Sequence, residues 1–225
     1  MISYFFQLLS VFAFGSLLAC SPVSSSGIPA APMAEAQPPS NAMALGDKQI
    51  AIFAGGCFWG VEAVFENIKG VSDVKSGYSG GSAKTANYDI VSSGSTKHAE
   101  AVQITFDPAK VSYEQLLDVF FKVAHDPTEL NRQGPDTGPQ YRSAIFYTDE
   151  TQKQATMSYI EKLGAAGVYK NPIVTQVVPL EKFYVAEAYH QDYLPQNLDS
   201  PYIIAHDLPK LENLKKQFPS LYAKK

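Results

Sequence analysis

The chain is poor in cysteine: its 225 residues include two, Cys20 and Cys57. There is no C-x-x-C pair and no Cys–His spacing of the kind that binds zinc or iron–sulfur clusters, so we expect no metal site of either class. Basic charge is scarce as well. The net charge is −4 and no stripe of Lys or Arg is present, which argues against nucleic acid as a partner.

Charge is absent from an apolar run, residues 4–19, which is shorter than a typical membrane span and suits a signal-peptide core. The run ends in Leu17-Leu18-Ala19-Cys20, which resembles the lipobox of bacterial lipoproteins. The resemblance implies cleavage before Cys20 and a lipid on its sulfur. Met1-Ile2-Ser3 lacks the usual Lys or Arg, so a plain secretory signal or an uncleaved N-terminal anchor stays open.

Three segments follow from this composition. Residues 1–19 are predicted to be a lipoprotein signal peptide, and residues 20–47 a lipidated cysteine with a disordered Ser/Pro/Ala tether. Residues 48–225 form the folded domain, which we expect to be a monomer. The lipid would attach it to a bacterial membrane on the extracytoplasmic, periplasm-facing side. Ser21, next to the cysteine, resembles an outer-membrane signal.

The only tryptophan lies beside the second cysteine, in Gly56-Cys57-Phe58-Trp59-Gly60. A strand-like run over residues 49–54 precedes this stretch, and a helix-like run over residues 61–68 follows it. We therefore predict that Cys57 lies at a helix N-terminus, where backbone N–H groups and the helix dipole lower the pKa of a thiol. The alternative is a buried, unreactive cysteine in an ordinary βα turn.

A carboxyl group is predicted to point into the core. Residues 98–106 alternate as a strand does, and Glu100 shares one face with three large apolar residues. Burial disfavours the charged form and raises the pKa, so Glu100 is a candidate proton donor near neutral pH. The alternative is a glutamate that reaches solvent or pairs with Arg132 or Arg142.

The element order β-α-β-β-α-β-α-β predicts an α+β (α/β) two-layer sandwich. We expect a mixed sheet of about five strands with helices packed on it and a ferredoxin-like core. Ser112 and Gln115 match a capping box at the start of one helix. A short helix is predicted over residues 185–194, stopped by Pro195, and residues 208–225 are predicted to be an exposed, lysine-rich tail.

The stretch around Cys57 resembles the signature of the peptide methionine sulfoxide reductase A (MsrA) family, and the likeness extends over residues 49–195. Further blocks agree in order: Gly77-Tyr78-Ser79-Gly80-Gly81, Tyr88, His98-Ala99-Glu100-Ala101-Val102, the run from His125 to Asp136, Gln140-Tyr141-Arg142-Ser143 and Tyr189-His190-Gln191. The resemblance implies an oxidoreductase that repairs oxidised proteins by reducing the S epimer of methionine sulfoxide, peptide-bound or free.

The resemblance also implies catalytic roles. Cys57 would attack the sulfur of the sulfoxide and become a sulfenic acid, while Glu100 protonates the oxygen. Tyr88 and Tyr141 would hydrogen-bond that oxygen, and Asp136 would help shape the site. Each of these last three has a structural alternative, because tyrosines often line a core or its rim and an aspartate often caps a turn.

Substrate binding and recycling are implied in the same way. Phe58 and Trp59 would hold the S-methyl group in an apolar pocket, and we interpret His190 as structural. Many family members have a second cysteine that this chain lacks, and Cys20 would be acylated. The protein would therefore be a one-cysteine member of the family without a bound cofactor. An external thiol, either a thioredoxin-like protein or a small thiol, would regenerate it through a mixed disulfide.

Two other classes of function stay open from the residues alone. A Cys–His hydrolase or acyltransferase would need a histidine beside Cys57. A non-catalytic, peptide-binding lipoprotein would use the aromatic pocket and would not need the thiol. The expected partners of the reductase are oxidised proteins or peptides, the thiol reductant and the membrane.

Overall fold

The computed structural model of the protein describes residues 48–224, so the predicted signal peptide, Cys20 and the tether lie outside the described part. The strands are β1 Gln49–Gly55, β2 Val71–Ser79, β3 Ala99–Phe106, β4 Arg132–Gln133, β5 Asp136–Thr137, β6 Ser143–Tyr147, β7 Gln176–Pro179 and β8 Phe183–Val185. The α-helices are α1 Phe58–Glu66, α2 Tyr88–Val91, α3 Tyr113–Val119, α4 Glu150–Ala165, α5 Tyr193–Gln196 and α6 Leu208–Gln217.

Six of the strands form one mixed sheet in the order β7-β6-β1-β3-β2-β8, while β4 and β5 pair separately. All neighbours in the sheet are antiparallel except β6 and β7. Because antiparallel neighbours run in opposite directions, the end of β1 lies beside the starts of β3 and β6. The topology therefore brings the turn after β1, which holds Cys57, to the end of the sheet where Glu100 begins β3.

The main core lies between the sheet and the helices. Phe53 of β1 is fully buried, and its ring centroid lies 4.8 Å from that of Phe120 and 5.5 Å from that of Phe65. Truncating such a side chain to alanine costs about 3–5 kcal/mol of stability. The opposite face of the sheet is built mainly from small residues, such as Ala101 and Ala144, with Phe183 packed on them.

The predicted two-layer α+β fold is confirmed, but the sheet has six strands where we expected about five. The extra strand is β8, which pairs with β2 and ends at Val185, the first residue of the stretch predicted as one helix, residues 185–194. The prediction of one continuous helix is wrong, because the stretch contains a 3₁₀ turn, Ala188–His190, and the start of the short helix α5. Pro195 lies inside the first turn of α5, where a missing N–H costs nothing.

The capping box is confirmed: the Ser112 N–H donates to Gln115 Oε1 (2.9 Å), and the Gln115 N–H donates to Ser112 Oγ (3.2 Å). The prediction of an exposed C-terminal tail is wrong. The segment forms α6, which packs on α1 and buries Leu214 completely. Its leucines recur every three residues, a helical spacing that the many lysines around them obscured.

No helix within residues 48–224 is long and apolar enough to cross a bilayer.

Candidate active site

Cys57 is the N-cap residue of α1, as predicted, and 8% of its surface is exposed. The turn before it depends on Gly56, whose φ of +93° is one that favours glycine. A Cβ at Gly56 would lie 2.5 Å from the side chain of Gln133, so the loop after α3 packs directly on this turn. The turn after strand β1 thus places the thiol at the N-terminus of α1, in a buried site.

The pKa of the Cys57 thiol is raised well above its usual value, contrary to the prediction of a lowered pKa. Burial is the largest cause, and the charges of Glu100 and Asp207 add to it. The backbone N–H of Trp59 and the charge of Lys210 lower this pKa, but they are weaker. The helix start does supply a donor to the sulfur, yet burial beside two carboxyl groups keeps the resting residue a thiol.

Glu100 points into the protein, as the alternating pattern predicted, and is 2% exposed. The Phe58 N–H donates to its Oε2 atom (3.1 Å), which ties the carboxyl to the first turn of α1. Burial raises the pKa of Glu100 to about 8, the Phe58 hydrogen bond opposes this, and the charge of Asp136 adds to it. Glu100 is therefore mostly a protonated acid at neutral pH, next to the thiol.

The alternative roles for Glu100 are wrong. Arg132 pairs with Glu129 (3.3 Å between Nε and Oε1). The Arg142 guanidinium instead donates to four acceptors, the carbonyl oxygens of Lys97, His98 and Pro139 and the Oε1 atom of Gln176. Neither arginine neutralises Glu100, so its proton stays available.

Tyr88 and Tyr141 lie near both reacting groups. Burial raises the pKa of each phenol, and the charges of Glu100 and Cys57 raise it further. Both side chains are partly buried rather than core residues. The two phenols therefore stay protonated and can donate hydrogen bonds to an oxygen held beside Glu100 and Cys57.

Asp136 belongs to the same site. It begins β5, and its carboxylate accepts a hydrogen bond from the hydroxyl of Tyr202. Its charge raises the pKa of both Glu100 and Tyr141, which places it close to them. Asp136 thus connects the loop that covers the thiol to the segment before α6.

An aromatic wall, formed by Phe58, Trp59, His190 and Tyr193, lies beside the thiol. The Trp59 ring stacks on Tyr193 (3.7 Å between centroids, 10° between planes), and its Nε1–H donates to His190 Nδ1 (3.1 Å). The His190 ring also lies 5.0 Å from Phe58 and 4.4 Å from Tyr88. Phe58 is 1% exposed and Trp59 is partly buried, so Trp59 forms the more accessible part of this wall.

The thiol has no histidine partner within residues 48–224. His190 accepts from Trp59, burial lowers its pKa, and it is therefore neutral. His125, whose pKa burial lowers to about 4, bonds to Ser143 instead. A Cys–His hydrolase would lack its general base here. The same residues also hold no cluster of three or more acidic, His or Cys side chains that suits a metal ion.

Sequence reasoning missed Asp207 and Lys210. Asp207 directly precedes α6, and Lys210 lies in the segment predicted to be an exposed tail, residues 208–225. Asp207 is nevertheless completely buried and pairs with Lys210 (3.1 Å). A buried Asp with a Lys three residues later is indistinguishable in sequence from the same pair on an exposed helix. No local signal separates the two cases.

Comparison with known proteins decides the family. The family model described as "Peptide methionine sulfoxide reductase" matches residues 49–222. The chain belongs to this family. A relative from Mesorhizobium japonicum, "Peptide methionine sulfoxide reductase MsrA 2", is 56% identical over 177 residues, covering 79% of this chain and 91% of the relative. A protein of the same name from Synechocystis sp. is 54% identical, covering 75% and 78%.

Solved structures of MsrA proteins share the fold. Mxr1 from Saccharomyces cerevisiae in its reduced form aligns with a TM-score of 0.64 at 34% identity, covering 68% of this chain and 87% of that one. The methionine sulfoxide reductase A of Corynebacterium diphtheriae aligns with a TM-score of 0.59 at 36% identity, covering 67% and 76%. The chain is thus an oxidoreductase that reduces methionine sulfoxide with a thiol and repairs oxidised proteins, as predicted.

Proposed function

We propose that Cys57 is the nucleophile of this reductase and that Glu100 is its proton donor. The observation that carries the proposal is the buried Glu100, with a pKa of about 8, hydrogen-bonded to the first turn of the helix that Cys57 begins. A sulfoxide oxygen is a poor leaving group until it is protonated, and an acid whose pKa lies near the working pH gives up a proton most effectively.

The first half of the cycle converts a thiol and a sulfoxide into a sulfenic acid and a thioether. The Cys57 sulfur forms a bond to the sulfoxide sulfur while Glu100 gives its proton to the oxygen. Tyr88 and Tyr141 donate hydrogen bonds to that oxygen as charge develops on it. The S–O bond of the substrate then breaks, and the new S–S bond breaks as the hydroxyl takes its place on the Cys57 sulfur and the thioether leaves. The thiol proton restores the acid. Methionine sulfoxide is reduced by two electrons to methionine, and Cys57 is oxidised by two electrons to sulfenic acid.

The aromatic wall supplies the binding surface for the substrate. Trp59 is held by Tyr193 on one side and by His190 through its indole N–H, so its ring is fixed before substrate arrives. We assign the S-methyl group to the apolar surface of Phe58 and Trp59, and the S epimer as the one that places its oxygen toward Glu100. Asp136 positions Tyr202 at the side of this pocket.

The second half of the cycle needs a thiol from another molecule. The chain has only one other cysteine, Cys20, and the C-terminal segment has none. An external thiol would condense with the sulfenic acid to a mixed disulfide and water. A second thiol would then release Cys57 as a thiol and leave an oxidised donor. A thioredoxin-like protein or a small thiol satisfies this chemistry.

We also propose that the enzyme is a lipid-anchored, monomeric protein facing the periplasm. The support is the lipobox-like Leu17-Leu18-Ala19-Cys20 at the end of an uncharged apolar run, with Ser21 favouring the outer membrane. Several acyl chains on Cys20 would give stable attachment, since each buried CH₂ contributes about 0.8 kcal/mol. Mass spectrometry of the mature N-terminus tests this: an acylated Cys20 is expected, and an unmodified or uncleaved N-terminus contradicts it.

A single-turnover experiment tests the function. The reduced, full-length enzyme is mixed with an equal amount of peptide methionine S-sulfoxide without added thiol, and dimedone traps any sulfenic acid. We expect methionine to form in an amount equal to the enzyme, with the adduct on the Cys57 peptide. The Cys57→Ser variant should form none. Methionine formation by that variant, or an adduct confined to Cys20, would contradict the assignment.

The same variant separates the reductase from a peptide-binding lipoprotein. A binding protein would keep its biological activity in Cys57→Ser, because the aromatic wall is intact. The reductase assignment predicts that this variant binds oxidised peptides but fails to protect cells against oxidants.

A further inference from the structure

A buried ion pair lies in the segment that leads into α6. Asp207 ends the irregular helical turn Ile203–Asp207 and is 0% exposed. The Lys210 ammonium lies 3.1 Å from its Oδ1 atom, and the Lys210 side chain is 18% exposed. The Oδ2 atom accepts no hydrogen bond from residues 48–224. Within the described part of the chain, the Asp207 carboxylate thus has a partner on only one of its two oxygens. Such an arrangement is energetically costly for a buried charge, so it points to a functional role.

The pair packs directly on the first turn of α1. A Cβ at Gly60 would lie 2.0 Å from Asp207 Oδ1 and 2.8 Å from Lys210 Nζ, so only glycine admits this approach. Gly60 follows Cys57 by three residues, and positions three apart at a helix are neighbours, with Cβ atoms about 5–6 Å apart. Asp207 and Lys210 therefore lie on the face of α1 that carries the thiol.

Both charges act on that thiol. The charge of Asp207 raises the pKa of Cys57, and the charge of Lys210 lowers it. Neither residue donates or accepts in the sulfoxide chemistry assigned to Glu100 and the two tyrosines. The pair therefore influences Cys57 through its charges, from its position against the first turn of α1.

We propose that the Asp207–Lys210 pair controls the reactivity of Cys57, with Asp207 holding the resting residue as a thiol and Lys210 favouring the thiolate. The two are positioning residues, and their role rests on the proposed role of Cys57 as nucleophile. Because the thiolate is the reactive form, a resting thiol is protected from indiscriminate oxidation and alkylation. Lys210 in turn helps Cys57 to leave as a thiolate when the mixed disulfide is reduced, since a more acidic thiol leaves faster.

The other titratable groups that face the thiol or the pair stay the same in every variant of the test. They are Glu100 from β3, Tyr88 from α2, Asp136 from β5, His125 from the loop after α3, Tyr141 from the turn before β6, and Tyr202 and His206 from the segment before α6. A change in Cys57 reactivity after substitution of Asp207 or Lys210 therefore reports on the pair.

The test is the rate at which iodoacetamide alkylates Cys57 in the reduced, full-length protein near neutral pH. Peptide mass spectrometry reads Cys57 separately from Cys20. Asp207→Asn removes the negative charge and keeps the shape, so alkylation should become at least roughly threefold faster. Lys210→Met removes the positive charge and keeps the length, so alkylation should become at least roughly threefold slower.

The opposite signs make the test decisive. A structural role would loosen the site in both variants, expose Cys57 and accelerate both reactions. That result, or an unchanged rate in both variants, overturns the proposal. Lys215→Met is the matched control, because Lys215 forms an exposed pair with Glu212 on the same helix and should leave the rate unchanged. Alkylation needs no sulfoxide, so the outcome is independent of the single-turnover test of the function.

Discussion

Two glutamates in this enzyme, Glu62 on α1 and Glu100 on β3, are equally buried, each 2% exposed. Burial raises the pKa of Glu62 to about 7 and that of Glu100 to about 8. Their hydrogen bonds differ. The Glu62 carboxyl accepts the N–H groups of Ser76 (3.2 Å) and Asp192 (3.0 Å), one on each oxygen. Glu100 accepts a single N–H, from Phe58.

The difference shows that burial alone does not make a proton donor. Glu62 connects α1 to β2 and to the turn at Asp192, whose φ of +53° is strained for a residue other than glycine. That turn leads directly to Tyr193, which stacks on Trp59. Glu62 thus holds the aromatic wall in place, while Glu100 lies beside the thiol and the phenols.

The largest effect should come from removing the acid. Glu100→Gln keeps the shape of the side chain and loses the transferable proton. We expect the single-turnover rate of methionine formation to fall by roughly 10²–10⁴-fold, the usual contribution of a general acid. Glu62→Gln is the matched control, and its rate should stay within a few-fold of the wild type. Equal losses in the two variants would break the distinction between the two glutamates.

The phenols should have the next largest effect. Tyr88→Phe and Tyr141→Phe each remove one donor to the developing oxyanion, so the single-turnover rate should fall by roughly tenfold to a hundredfold in each. Tyr113→Phe is the control, because that buried hydroxyl bonds to Thr156 (3.0 Å) in the core beneath α4. It should retain the full rate and lose about 1 kcal/mol of stability. A comparable rate loss in Tyr113→Phe would show that the tyrosines act through packing.

Stability should reverse the order of the two glutamates. In Glu62→Gln the amide N–H₂ must face one of the two backbone N–H donors, so one of the two buried hydrogen bonds to this side chain is lost. The Ser76 N–H would still keep its bond to Gln191 Oε1 (3.0 Å). We expect the free energy of unfolding to fall by about 1–3 kcal/mol, measured by urea denaturation. Glu100→Gln should cost less, because it has one such bond. A larger stability loss in Glu100→Gln would contradict the structural role given to Glu62.

The smallest effect is a change in the pH dependence of stability. Both carboxyl groups have a folded-state pKa above the unfolded value near 4.5, so the folded protein binds more protons between the two values. Their contribution to stability is therefore complete below about pH 4.5 and is lost as the pH rises to about 7 for Glu62 and about 8 for Glu100. In each Gln variant, the free energy of unfolding should decrease less with rising pH, because the substituted side chain no longer titrates. A decline that is unchanged in both variants would show that other groups cause it.

Much of the site could be predicted because its signals are local. Alternation along β3 places Glu100 on the core face, and the strand–glycine–helix pattern places Cys57 at a helix start. The sign of the Cys57 pKa shift could not be predicted, because it depends on burial and on Asp207, which lies 150 residues further along the chain. The sequence around Cys57 does not indicate that Asp207 lies nearby.

The C-terminal third was the least predictable. Phe183, Tyr184 and Val185 are ordinary strand formers, but they become β8 only because β2 offers a free edge.

The role of Glu62 could not be predicted either. In the sequence it is a polar position on a helix, and only the fold shows that two distant main-chain N–H groups bond to it. Tertiary hydrogen bonding determines both β8 and the position of the Glu62 carboxyl.

The pH dependence of the single-turnover rate, compared in the wild type, Glu100→Gln and Glu62→Gln, tests the central claim most directly. The wild-type rate should fall as the pH rises through about 8, because deprotonated Glu100 has no proton to give. Glu62→Gln should keep this fall, and the slow residual reaction of Glu100→Gln should lack it. Persistence of the fall in Glu100→Gln, or its loss in Glu62→Gln, would contradict the assignment of Glu100 as the acid.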